Sequence, residues 1–241
     1  MNRRLLITGA GGFLGSRICE YYSNRDGYEA VGVTHRELDI EDFVAVSAFI
    51  KAIRPDYVLH CAAISNTGTC ERNPVLSEKV NVRGTINLAK ACRNAGSRMI
   101  FTSSDQIYNT SHSMEPNREG SEGKPGNVYG RDKKRAEEAM LTYLPDAVAL
   151  RLTWMYDAPS RGRAAGQGLL QKLADALKER REVEFPVHDY RGITYVWEVV
   201  RHLEEAMGLP GGVYNFGSEN RYNTFDTARL FLRELAGSDS A

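Results

Sequence analysis

The chain carries no excess of charge: 31 Lys and Arg residues balance 31 Asp and Glu. That balance removes the electrostatic reason to expect nucleic acid or an acidic membrane surface as a partner. It leaves room for an anionic ligand held by a few local charges. Cysteine is sparse, at four: Cys19, Cys61, Cys70 and Cys92. None forms a CxxC pair and none has a histidine at metal spacing, so no metal site is expected. Cys19, Cys61 and Cys92 fall in apolar patterns and read as buried thiols, which suits a reducing compartment. No apolar run approaches transmembrane length, so no membrane association is expected. Met1-Asn2-Arg3-Arg4 runs straight into a strand pattern with no room for a signal peptide. The expected location is cytoplasmic. Repeats and low-complexity tracts are absent.

What is present is ordinary for a globular protein, with 42% hydrophobic and 26% charged residues. Its 241 residues suffice for one large domain or a domain plus a small lobe. Apolar patterns and breakers predict strands near residues 4–8, 29–34, 57–61, 98–102 and 147–152. Helices are predicted over 13–23, 42–53, 75–94 and 129–143 between them. This alternation implies an α/β, Rossmann-type doubly wound parallel sheet with a small C-terminal substrate lobe. The predicted division is 1–155 for a dinucleotide-binding domain and 156–241 for the lobe. Helices near 169–180, 196–207 and 224–235 and a strand near 212–216 fall in the second part, with 196–207 returning to the main sheet. Residues 159–168, rich in Gly, Arg and Ala, read as a loop. A ligand belongs at the carboxyl ends of the strands. Cys61-Ala62-Ala63, Ser104 and Trp154 fall at or just past such ends.

Gly9, Gly12 and Gly15 have the spacing GxxGxxG between the first strand and first helix. Glycines there permit the turn, let the backbone approach a pyrophosphate, and let helix and strand pack closely. The helix N-terminus then offers free N–H groups to the anion. An NAD site calls for Asp or Glu at the end of the second strand. The residues there are Val33-Thr34-His35-Arg36. Arg36 suits a 2′-phosphate, which favours NADPH over NADH as cofactor. Asp39 and Ile40 either line the adenine side or form a plain turn.

Tyr129 and Lys133 lie four apart, on one face of a predicted helix. A free tyrosine titrates near 10, and an adjacent ammonium favours its phenolate. A fall of about two pH units corresponds to about 3 kcal/mol of differential stabilisation. Lys133 is therefore expected to lower the Tyr129 pKa and fit it for proton transfer. Ser104, just beyond a strand, is placed to hydrogen-bond a substrate oxygen.

These features resemble the extended short-chain dehydrogenase/reductase family over nearly the whole chain. Thr8-Gly9-Ala10-Gly11-Gly12-Phe13-Leu14-Gly15 matches its cofactor loop, which implies cofactor contacts for Gly9, Gly12, Phe13, Leu14 and Gly15. Cys61-Ala62-Ala63 resembles its Asn-Ala-Ala/Gly turn, with Cys61 in place of the usual Asn. Asn81-Val82-Arg83-Gly84-Thr85 resembles its Asn-Val-x-Gly-Thr helix. The resemblance implies Tyr129 as proton donor, Lys133 on the nicotinamide ribose, and Ser104 on the carbonyl oxygen. Ser104-Asp105-Gln106 departs from the Thr-Asp-Glu of the sugar dehydratases; Gln106 cannot act as a base, which argues against dehydration.

Three further stretches are similar to the dTDP-4-dehydrorhamnose reductase branch: residues 37–42, 104–108 and Arg151-Leu152-Thr153-Trp154-Met155-Tyr156. The branch implies substrate contacts for Ser104, Asp105, Tyr129 and Trp154, with Trp154 stacking on a hexose ring; core packing is the alternative for Trp154. Arg161, Arg163 and Arg191 are candidate diphosphate contacts, with a solvated surface arginine the alternative for each. The expected activity is NADPH-dependent reduction of the keto group of a nucleotide-activated 4-keto-6-deoxy sugar, with a homodimer left open. A non-catalytic nucleotide-binding subunit, or a reductase of a smaller carbonyl compound, are the alternatives.

Overall fold

A computed structural model describes residues 2–111, 115–158 and 168–237. β1 (Arg3–Thr8), β2 (Tyr28–Val33), β3 (Tyr57–His60), β4 (Arg98–Ser104), β5 (Val148–Leu152) and β8 (Gly212–Phe216) form one sheet in the order β2-β1-β3-β4-β5-β8. Every pairing in it is parallel. Strand order reverses between β1 and β3, so the crevice opens outside their carboxyl ends.

One face of the sheet carries α2 (Phe43–Ile53), α5 (Thr85–Ala95) and α6 (Val128–Tyr143). Their residues Val46, Leu88, Cys92, Ala136 and Met140 are buried against Val58, Met99 and Phe101. The other face carries α1 (Phe13–Ser23) and α8 (Val196–Gly208). There Leu14, Ile18, Tyr22, Val199, Val200 and Leu203 close over Leu5, Ile7, Ile100 and Leu150. Burying the sheet on both faces explains why its strands read as continuous apolar runs.

The helix starts follow their caps. Asp42 accepts hydrogen bonds from Val44 N and Ala45 N, fixing the start of α2. Asn127 does the same for α6 through Gly130 N, at 2.7 Å. Three regions differ from the sequence expectation. The single helix predicted over 75–94 is α4 (Pro74–Glu78), a π-helical turn over Lys79–Gly84, and α5. The wider turn aims the Asn81 amide at Ile64, whose N–H it accepts at 2.8 Å and whose carbonyl it donates to at 3.1 Å. A short helix, α3 (Thr67–Arg72), was not expected, because six residues carry too little periodicity to show.

The strand over Gly212–Phe216 was assigned to the lobe; it instead pairs with β5 in the main sheet. Gly211 permits this, since a Cβ there would collide with the Pro145 carbonyl. Outside the main sheet stand α7 (Leu169–Glu179), α9 (Thr224–Ala236) and the parallel pair β6 (Trp154–Tyr156) and β7 (Ile193–Tyr195). Leu169, Leu173 and Ala228 form their small core, with Trp154, Phe185 and Phe231 against it. No described helix is long and apolar enough to cross a membrane.

Candidate active site

The glycine loop is shaped by contacts that exclude side chains. Gly9 sits at φ +70°, and a Cβ on it would lie 2.7 Å from Ala62 N. A Cβ on Gly15 would strike the Gly9 carbonyl. These two glycines let β1, α1 and the end of β3 converge. Gly12 caps α1 without a side-chain hydrogen bond, so the N–H groups of the first turn stay available to an anion. Leu14 is buried in the core, so only its main chain faces the loop. The Phe13 ring lies 4.1 Å beneath the Arg17 guanidinium. Arg17 in turn pairs with Asp157 at 2.7 Å, both side chains under 5% exposed.

At the end of β2, Glu37 accepts from the Thr34 N–H at 2.6 Å and its hydroxyl at 2.7 Å. Arg36 is exposed and makes no hydrogen bond or ion pair among the described residues. Asp39 is exposed and accepts from Glu41 N at 3.0 Å. Ile40 is 5% exposed in the core, against Gly84, so its side chain is not offered to an adenine.

His60 ends β3 fully buried, stacked on Phe101. Its Nδ1 meets the Thr8 hydroxyl at 2.8 Å and its Nε2 the Thr85 hydroxyl at 3.0 Å. Thr85 donates its proton to Asn81 O at 2.7 Å, which makes Nε2 the protonated nitrogen. Burial, and next the Lys133 charge, push His60 down to about 3. Unfolding frees it to bind a proton near pH 6.5. Its contribution to stability is therefore complete above pH 6.5 and is lost as pH falls toward 3, at about 1.4 kcal/mol per pH unit. Asp105, raised to about 6, opposes that slope below its own pKa. Urea midpoints across this range should show a steeper loss in the parent than in His60→Gln; equal slopes would contradict the assignment. Cys61 and Ala62 follow, and Ala62 N donates to the Thr8 hydroxyl at 3.4 Å. Burial pushes the Cys61 thiol up to about 12.

The turn over Asp105–Tyr108 follows β4 and packs against the start of α6. Gly130 lies against the Gln106 carbonyl, where a Cβ would be 2.5 Å away. The Gln106 side chain accepts from Asn127 Nδ2 at 2.8 Å, fastening the cap of α6 to that turn. This approach brings the Tyr129 hydroxyl near Ser104 and Asp105. Lys133, 2% exposed, donates to Thr102 O at 2.7 Å and lies 4.4 Å from the centre of the Phe101 ring.

The expected lowering of the Tyr129 pKa is not what this arrangement gives. Burial raises it well above the ordinary phenol value, Asp105 adds to the rise, and the Ser104 hydroxyl opposes them. Lys133 points to the Thr102 carbonyl, 5.7 Å from the Tyr129 ring centre, and desolvation outweighs attraction at that range. Burial lowers Lys133 itself to about 8.

Asp105 completes the cluster, 3.3 Å from the Ser104 hydroxyl. Arg191 pairs with Asp189 at 2.9 Å and its guanidinium lies 5.5 Å from the Trp154 ring centre. Trp154 is partly exposed, with one side in the small core. Arg161 and Arg163 lie outside the described residues.

The RmlD substrate binding domain family matches residues 3–240. The chain belongs to that family. With it, the chain joins the oxidoreductases of the short-chain dehydrogenase/reductase type. A dTDP-4-dehydrorhamnose reductase of Mycolicibacterium smegmatis is 31% identical over 99% of this chain and 71% of its own length. The methionine adenosyltransferase 2 subunit beta of Xenopus laevis is 31% identical over 94% of this chain and 70% of its own. A dTDP-4-dehydrorhamnose reductase of Bacillus anthracis, solved with NADP, superposes with a TM-score of 0.88 at 24% identity, covering 98% of this chain and 82% of that one.

Three groups in this RmlD-type site escaped the sequence reading. Asp189 approaches Asp105 only through the fold. Gln106, noted only as unable to act as a base, is a structural tie. Glu137 lies one further turn along the face of Tyr129 and Lys133, and that i+8 position was the available signal. It meets Arg151 at 2.7 Å with both side chains under 10% exposed.

Proposed function

We propose that the chain reduces the keto group of a nucleotide-activated 4-keto-6-deoxy sugar, with NADPH as reductant. The observation that supports this is that Ser104 and Asp105 at the end of β4 meet the start of α6, which bears Tyr129 and Lys133, in a sheet whose first strand runs into a glycine loop and an uncapped helix N-terminus. The names of the curated relatives supply the substrate class. The intact Ser104, Tyr129 and Lys133 set supports catalysis over a purely regulatory subunit.

The residues present fit a dinucleotide. Gly9, Gly12 and Gly15 leave a cradle free of side chains, and the α1 N-terminus faces it. Arg36, unpaired at the end of β2, would take a 2′-phosphate. When bound, the nicotinamide supplies the hydride. Tyr129 gives its phenol proton to the carbonyl oxygen, and its raised pKa keeps that proton in place until negative charge develops there. Ser104 holds the same oxygen. Lys133 would hold a ribose hydroxyl of the dinucleotide, and Trp154 would stack on the sugar. In this reading residues 1–155 serve the dinucleotide, the part of 156–241 that stands outside the main sheet serves the substrate, and the enzyme works in the cytoplasm.

NADPH oxidation measured across a panel of nucleotide-linked keto sugars tests the reading. Turnover of a dTDP-linked 4-keto-6-deoxy sugar is expected; NADPH binding without turnover of any member counts against the substrate class. Arg36→Ala separates the cofactors. It is expected to raise the KM for NADPH about 10- to 100-fold, the cost of one charge-assisted contact, and to leave that for NADH nearly unchanged. Equal effects on both would remove Arg36 from the cofactor site.

A further inference from the structure

We propose that Arg17 and Asp157 are positioning residues that tie the dinucleotide loop to the substrate lobe, so that a dinucleotide seated on α1 steadies β6 and its Trp154; this rests on the keto-reductase reading above. Arg17 lies one turn into α1 and Asp157 one residue beyond β6, 140 positions apart. The Arg17 Nε donates to Asp157 Oδ2 at 2.7 Å, and the two side chains are 3% and 4% exposed. Its Nη1 donates to Phe13 O at 2.6 Å, and the guanidinium lies 4.1 Å from the centre of the Phe13 ring.

Packing alone does not call for this pair. A cation in the first turns of a helix opposes the helix dipole, and burial strips both charges of water. An apolar pair of similar volume would fill the space with neither cost. What the ion pair adds is a fixed geometry. A helical side chain leans toward the N-terminus, which carries the guanidinium back over Phe13. Phe13 opens α1, so its N–H is one of those left to an anion at the glycine loop. Arg17 therefore grips that residue by its carbonyl and its ring together.

The other end is as firmly set. Asp157 Oδ1 accepts from Ala158 N at 2.9 Å, so one carboxylate oxygen holds its own backbone and the other holds Arg17. Tyr156, just before it, packs on Tyr195 at 5.6 Å and on Phe231 at 5.0 Å between ring centres. Trp154 opens the same three-residue strand, and its N–H donates to Gly192 O at 3.2 Å. A displacement of Phe13 is thus passed through a guanidinium and a carboxylate to the strand that carries Trp154.

The two sites then share a coupling free energy. Binding at the glycine loop fixes the first turn of α1, and through the ion pair it reduces the freedom of β6. Linkage is reciprocal, so a sugar that orders β6 tightens the dinucleotide by the same factor. Both reactants are held to one frame, and that shared orientation is what a hydride transfer requires.

Hydrogen–deuterium exchange of the peptide spanning β6, with and without saturating NADP+, tests the connection. NADP+ is expected to slow exchange there in the parent by about fivefold or more, the lower end of couplings between sites. Arg17→Met with Asp157→Leu replaces the pair by apolar side chains, so its urea midpoint should stay near the parent's. It should still bind NADP+ through the intact glycine loop, yet show no protection of β6. It should also lose about tenfold in kcat/KM for the ketone, with the KM for NADPH within a few-fold of the parent's. Asp157→Asn guards against a double variant that does not fold. It keeps an oxygen for Arg17, and a neutral hydrogen bond is worth about half a charge-assisted one, so its protection should fall below the parent's. Protection of β6 in either variant equal to the parent's overturns the proposal, as does a parent that binds NADP+ without protecting β6. A merely structural pair would move the urea midpoint and leave the NADP+-dependent protection intact. A parent that binds no NADP+ fails the dinucleotide reading itself; one that binds it and protects β6 but turns over no keto sugar fails the substrate class alone.

Discussion

Tyr129→Phe is expected to lower kcat for ketone reduction by about a hundred- to ten-thousandfold, the usual worth of a positioned general acid. The change deletes one oxygen. Ser104 keeps its contacts with Gln106 N and Asp105, so the local fold survives the loss. The dinucleotide cradle is built from Gly9, Gly12 and the α1 N-terminus, none of which touches the phenol. Affinity for NADPH should therefore stay within a few-fold of the parent, a difference of under about 1 kcal/mol. The measurement is single-turnover NADPH oxidation together with a fluorescence titration of NADPH binding. Unchanged turnover in Tyr129→Phe would remove Tyr129 from the chemistry. Lost binding would mean that the residue acts by holding the cofactor instead.

Arg151→Met should destabilise the protein by about 3–5 kcal/mol, because it leaves the Glu137 carboxylate buried without its partner. Arg151 Nε and Nη2 both donate to Glu137, the shortest contact being 2.7 Å. Its Nη1 donates to the Tyr108 hydroxyl and, at 3.2 Å, to Glu119 O. Tyr108 continues to Asn215 Oδ1 on β8 at 3.0 Å. One guanidinium thus ties the face of α6 that bears Tyr129 and Lys133 to β5, to the turn after β4, and to β8. Replacing both partners, as Arg151→Met with Glu137→Leu, removes the unpaired charge and should recover most of the lost stability. Activity should not recover with it, since the turn holding Ser104 and Asp105 loses an anchor. Urea denaturation of the two single variants and the double variant reads this directly. Single variants within about 1 kcal/mol of the parent would show that solvent already screens the pair.

Much of the architecture can be read from local pattern. The strands of the main sheet are short apolar runs, and helices between them start at caps such as Asp42 and stop at signals such as Arg54-Pro55. Those signals act within a few residues, so no tertiary information is needed to see them. The glycine spacing and the four-residue interval from Tyr129 to Lys133 are local in the same sense. The π-helical turn over Lys79–Gly84 was not legible, because it depends on Gly84 meeting Ile40 and on Asn81 reaching Ile64. The return of Gly212–Phe216 to the main sheet was missed for a similar reason. A five-residue apolar strand carries no mark of which sheet it joins.

The site shows the same division more sharply. Residue type and helical spacing determined that a phenol and an ammonium share one face of α6, behind a loop able to hold a pyrophosphate. Whether the ammonium governs the phenol was decided by the tertiary structure. Lys133 turns to the Thr102 carbonyl and loses charge stability to burial, so enclosure raises the Tyr129 pKa where proximity alone promised a fall. Folding likewise set Asp105 among Arg191, Asp189 and Ser104, buried His60 as a neutral base, and paired Glu137 with Arg151. Desolvation and charge pairing depend on which distant segments pack around a group, and a linear sequence does not state that distance.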